Sequence, residues 1–237
     1  MTLAEKYEYA GGVITDADID RMITVPTPRW AADEYAEMAR ALGFSRPPAL
    51  RWKASAEGST GLHSSGQHLI VIGEDDLRQR VAETSRRHLV PIRPGNEWRY
   101  AHVFTPAELY RTHARVVMAH ELGHAARARE GLTAIGIYEE RGADRVAGWV
   151  AEVFGWKARG DELVMDALGC REAAWACTHD NPAQRVRTYH LGRGDRREQA
   201  AAEQREAAQR EAQQRAMDAW LATLDTYAPY YQQPPTW

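Results

Sequence analysis

Cysteine is nearly missing from this chain: two among 237 residues, Cys170 and Cys177. On a helix they would share a face about two turns apart, too far for an unstrained disulfide, and their spacing suits no zinc knuckle. A disulfide-stapled secreted scaffold is therefore excluded, and inert thiols in a reducing cytoplasm are expected. Long apolar runs are missing too. No stretch approaches the roughly 18 uninterrupted apolar residues that suggest a membrane helix. The opening MTLAEKYEYAGGVITDAD lacks a basic start followed by an apolar run, so neither a span nor a secretory signal is expected. Charge of one sign is absent as well. Lys and Arg number 30 against 33 Asp and Glu, and a net charge of -3 lacks the basic excess of a general nucleic-acid binder. What remains is a chain with 44% hydrophobic residues, enough for one domain with appendages.

Within it, residues 116–129 read VVMAHELGHAARAR. Residues four apart share one helix face, so His120 and His124 can aim their imidazoles at one point. Two of four tetrahedral zinc positions would then be filled, with Glu121 beside them to take a proton from water. The surroundings favour the helix that this requires. Thr105-Pro106-Ala107-Glu108 is a capping-box start, and no Gly or Pro follows until Gly123. Arg127, Arg129 and then Gly131 mark the end, which predicts a helix over about 106–129. Read blandly, the same three residues would be a solvated helix face.

A third ligand must come from elsewhere. Residues 138–154 carry helical periodicity, with Val146, Trp149, Val150, Val153 and Phe154 as apolar positions. Glu140, Ala143, Asp144, Ala147 and Ala151 fall on another, mostly small face, and Gly123 offers a matching gap on the first helix. A connection as short as 130–136 favours antiparallel packing. That would bring Glu140 to the open side of the histidines, with Asp144 one turn on to accept the outer N–H of one of them. Glu139 points away on this wheel. His113, about two turns before His120, reads as a structural histidine, and His63, His68, His88, His102 and His190 receive no role.

HELGH followed by Glu140-Arg141-Gly142-Ala143-Asp144 resembles the gluzincin metallopeptidase pattern. Its form here, EERGADRVA, is similar in particular to the HtpX-like and the ImmA/IrrE-type metallopeptidases. CTHDNPAQRVRTY, residues 177–189, is similar to a T-H-P-x-x-x-x-R segment of the former, through His179, Pro182 and Arg185, with Asp180 where proline is usual. The resemblance implies a zinc-dependent endopeptidase acting on protein or peptide. One zinc ion would be held by His120, His124 and Glu140. Glu121 would be general base and later proton donor, Asp144 would orient a ligand histidine, and His179 and Arg185 would join the catalytic site. An oxyanion donor could be Arg185, His179, Tyr138 or Tyr189. His179 and Arg185 have a competing account, because Asn181-Pro182-Ala183-Gln184 also reads as a helix start. Two alternatives stay open: an ImmA/IrrE-like regulatory protease cutting a specific repressor, and a non-catalytic adaptor working through the C-terminal helix.

The fold expected is α+β: a small zincin-like domain, residues 1–192, with a short antiparallel sheet packed on the active-site helix pair. Helices are expected at 29–42 and 74–88, and strands at 49–55, 67–73 and 97–104. His68 to Ile72 is the candidate edge strand for binding an extended substrate. From Arg193 to Arg215 the chain is almost entirely Arg, Glu, Gln and Ala, which predicts a solvated polar helical extension over 193–226. Met217, Trp220, Leu221 and Leu224 follow at helical spacing and would let its far end dock on the domain or on a protein partner. Residues 227–237, rich in Pro and aromatics, read as a flexible tail.

Overall fold

The computed structural model describes residues 23–54, 59–62, 68–88, 105–132, 136–156 and 181–231. The chain divides into two compact units, Met1–Gly194 and Asp195–Trp237. The first is α+β. Its described elements are α1 (Arg29–Ala41), β1 (Ala49–Lys53), β2 (Ser59–Leu62), β3 (His68–Gly73), α2 (Glu74–His88), α3 (Pro106–Arg129), α4 (Ile137–Val153) and the beginning of α5 (Pro182–Tyr231). The expected strand at 97–104 and both cysteines lie outside the described residues.

Helix α1 is amphipathic in the plainest way. Ala31, Tyr35, Met38 and Ala39 recur at helical spacing and are buried, while the charged positions face out. The Tyr35 hydroxyl donates to the Pro48 carbonyl at 2.6 Å, pinning the helix to the chain that enters β1. Glu74, at the start of α2, ties three elements together. It accepts from Trp52 Nε1 of β1 at 2.9 Å, from Arg78 Nε of α2 at 2.8 Å and from the Tyr110 hydroxyl of α3.

The sheet corrects the expectation of a purely antiparallel one. Its order is β1-β3-β2, with β1 parallel to β3 from Ala49 opposite Leu69 to Lys53 opposite Gly73. β2 runs antiparallel to β3, Ser59 facing Val71 and Leu62 facing His68. The short 63–67 link forces the β2–β3 pair to be antiparallel, and β1 then takes the other flank of β3 in parallel. β3 is accordingly the central strand and not the edge. A central strand covered on both faces reads as an unbroken apolar run, and Leu69, Ile70, Val71 and Ile72 are all buried. Thr24 bridges Lys53 on the far side of β1. Among the described residues, the outer edge left unbridged belongs to β2.

Helix α3 is the axis of the unit. Thr105 and Glu108 form the capping box, Glu108 N donating to Thr105 Oγ1 at 3.2 Å and Thr105 N to Glu108 Oε2 at 2.7 Å. The helix packs on α1, α2, α4, β2 and β3, so it is buried nearly all round from Leu109 to Ala126. Against α2 it places His113. Thr84 Oγ1 donates to the Arg80 carbonyl at 2.9 Å, so it must accept from His113 Nε2, also at 2.9 Å. Burial, helped by the Arg80 charge, pushes the His113 pKa from 6.5 to about 3.

Helices α3 and α4 are antiparallel, since His120 meets Asp144 while Arg127, further on, meets Glu139. They approach closely at Gly123, where a Cβ would lie 2.9 Å from the Ala143 carbonyl oxygen. A second close crossing joins α4 to the first turns of α5. A Cβ on Gly148 would fall 1.9 Å from Tyr189 O, and one on Gly192 would fall 1.8 Å from Arg145 O. Asn181 caps α5, its Oδ1 accepting from Gln184 N at 3.0 Å.

The second unit carries α5 onward from Asp195. Pairs one turn apart, such as Gln199 with Glu203, Glu211 with Arg215 and Gln214 with Asp218, run along it. Met217, Trp220 and Leu221 are exposed. Among the described residues no helix is long and apolar enough to cross a membrane.

Two outcomes follow from these contacts. Gly192→Ala should lower the unfolding free energy in denaturant by at least about 2 kcal/mol, because the atoms it meets are backbone. Gly194→Ala, with nothing within 4 Å, should not lower it. The unfolded chain takes up a proton on His113 below pH 6.5 that the folded chain refuses until about pH 3, so stability is lost as pH falls through that window. His113→Gln should flatten this dependence, and an unchanged slope would show that the ring is not held neutral.

Candidate metal centre

His120 and His124 stand one turn apart on α3, and Glu139, Glu140 and Asp144 come from the first half of α4. The close approach at Gly123 sets the two groups facing each other. The ring Nε2 atoms of His120 and His124 lie 3.1 Å apart. Glu140 reaches both, with Oε2 3.1 Å from His120 Nε2 and Oε1 3.6 Å from His124 Nε2. One ligand atom from each of the three residues fits within 4.8 Å of the others.

Behind the rings stand two more carboxylates. His120 Nδ1 is 2.8 Å from Asp144 Oδ1, and His124 Nδ1 is 3.3 Å from Glu139 Oε1. Asp144 is in turn gripped by Arg185, whose Nε donates to Oδ2 at 2.9 Å and Nη2 to Oδ1 at 2.7 Å. Both partners are about 2% exposed, which makes this a fully desolvated bidentate pair.

Electrostatics follow this layout. Burial alone would raise the Asp144 pKa, but the Arg185 charge and the His120 hydrogen bond outweigh it and lower the net value. Burial would likewise depress His120, yet its bonds to Asp144 and Glu140 carry it upward. For His124 the Glu140 charge and the bonds to Glu139 and Glu140 overcome burial by more, and its pKa rises well above 6.5. Glu121 is buried and close enough for its charge to act on His124 and Arg185.

The donor set suits a divalent cation. With each Nδ1 turned to a carboxylate, loss of the Nε2 proton leaves a lone pair on each Nε2, and these converge with a Glu140 oxygen. Three acceptors crowded so closely repel unless a positive charge sits among them. Two nitrogens bound to one tetrahedral zinc at the usual bond length would be about 3.3 Å apart, close to the spacing here. His120, His124 and Glu140 are therefore a cluster that can hold a metal ion.

The remaining sequence-derived candidates fare differently. Arg185 is brought to the site, where its Nε and Nη2 are engaged with Asp144 and brace that carboxylate. Tyr189 is fully buried in the core. Tyr138 is 68% exposed in the first turn of α4. His179 lies outside the described residues. Glu139 was expected to point away, and that is corrected: side chains lean toward a helix N-terminus, so Glu139 in the first turn reaches the later histidine of the antiparallel partner. The signal was available, because in an antiparallel pair the earlier acidic residue must face the later histidine.

Compared with known proteins, the chain matches no family model, no curated protein and no solved structure.

Removal of Arg185 separates its two roles. Arg185→Met strands a buried carboxylate and should cost about 3–5 kcal/mol of unfolding free energy, with Asp144→Leu in the same chain recovering part of it. A residue serving only as an oxyanion donor would lose turnover and leave the denaturation curve in place.

Proposed function

We propose that this chain is a zinc metallopeptidase of the gluzincin type, hydrolysing peptide bonds in a protein or peptide substrate. The observation that carries this reading is the convergence of two carboxylate-backed imidazoles and Glu140, with the buried Glu121 alongside. His120, His124 and Glu140 are the ligands in this reading. A zinc ion held by them supplies Lewis-acid polarisation of a carbonyl and a water of lowered pKa. Glu121 accepts the proton of the attacking water and delivers it to the leaving amine. Asp144, fixed by Arg185, keeps the His120 tautomer that offers Nε2. An extended substrate pairs with β2, whose outer edge takes over the role first expected of β3.

The resemblance to HtpX-like and ImmA/IrrE-type enzymes supports a protease of this kind, and the scarcity of cysteine supports a reducing, cytoplasmic setting. A second reading, a non-catalytic adaptor that binds a protein partner through the C-terminal helix, is supported by Met217, Trp220 and Leu221, which are exposed on that helix.

The test is elemental analysis of wild type, Glu140→Ala and Glu121→Gln, followed by cleavage of an unfolded protein substrate. Wild type should carry near one zinc per chain and cleave. Glu140→Ala should lose metal, and Glu121→Gln should keep it while losing activity by orders of magnitude. A wild-type chain that takes no zinc after reconstitution would rule the reading out.

A further inference from the structure

Asp144 has a counterpart that the ligand pattern does not contain. His124 Nδ1 lies 3.3 Å from Glu139 Oε1, and the same oxygen lies 3.5 Å from Arg127 Nε, an ion pair looser than a hydrogen bond. Arg127 is anchored by Nη2 donating to the Leu132 carbonyl at 2.7 Å. Arginine, carboxylate and imidazole thus follow the order of Arg185, Asp144 and His120, at the other end of the ligand pair. None of the three side chains is more than 21% exposed.

Gly142 makes the arrangement possible. A Cβ there would stand 2.2 Å from both Cζ and Nε of Arg127, so the guanidinium lies across α4 in the space that the missing side chain leaves. Any larger residue at 142 would displace Arg127, the flexible partner in that contact.

The geometry points to Glu139, held by Arg127 over Gly142, as the positioning residue of His124. It accepts the Nδ1 proton and so presents the Nε2 lone pair to the centre. The inference rests on reading the cluster as a metal site. An imidazole without such an acceptor is free to rotate and is less basic at its other nitrogen, and loss of a partner of this kind costs roughly 10- to 100-fold in metal affinity.

The experiment measures zinc affinity of the full chain by competition with a chromophoric chelator, together with nitrogen-15 NMR of the histidine rings in the zinc-loaded protein. Glu139→Ala should weaken binding by roughly 10- to 100-fold and shift the His124 Nδ1–H resonance while leaving that of His120 in place. Glu139→Gln should recover part of the loss, since an amide oxygen still accepts. Gly142→Ala touches no ligand and favours the helix, so it should weaken zinc binding without lowering the thermal midpoint of the zinc-free chain. Wild type that binds zinc with an affinity unchanged in all three variants would overturn the assignment of Glu139 and leave the metal site standing. Wild type that binds no zinc would overturn the metal reading, and the assignment with it.

Discussion

Asp144 is a carboxylate sealed from water between an imidazole and a guanidinium, and the rest of the site depends on keeping it there. An ionised carboxyl group in such a place is costly unless both oxygens are satisfied. His120 from α3 takes one side and Arg185 from the first turn of α5 takes both oxygens, so one residue of α4 draws three helices to a common point. The small residues make this reach possible. Gly123 lets α3 meet α4 at Ala143, and Gly148 with Gly192 lets α5 lie against α4 so closely that Arg185 falls on Asp144. The packing and the polar network are thus one constraint, and loosening either would loosen the other.

The same burial sets the chemistry available. Glu139, Glu140, Asp144 and Glu121 surround two imidazoles, and both histidines hold positive charge more firmly than in solution. A cluster of this sign invites a cation. Within the sheet, β3, buried on both faces, acts as the scaffold strand, and the edge position belongs to β2. Arg185 illustrates how burial changes a residue's meaning, because a guanidinium engaged with a buried carboxylate through both Nε and Nη2 is a brace.

Much of this was legible from local pattern. The bounds of α3 were readable from Thr105, Pro106 and Glu108 at one end and Gly131 at the other, because capping is a short-range interaction between neighbours in the chain. That Asp144 would back one of the two histidines was readable from two periodicities and a short connection, and the structure shows it to be His120. The polar run after Gly192 was readable as helix from composition. Less legible were features that need a partner distant in sequence. The run Leu69 to Ile72 signalled full burial and was still misplaced at an edge, since strand order depends on which flank β1 takes.

What the sequence by itself determined is the helix pair and the faces it turns inward, because the 3.6-residue repeat, the caps and a short link decide them locally. What only the tertiary structure decided is the parallel placement of β1, the crossing at Gly148 and Gly192, and the grip of Arg185 on Asp144. Each of these depends on how far one backbone can come to another, a distance set by the packing of the whole unit and carried by no single stretch of residues.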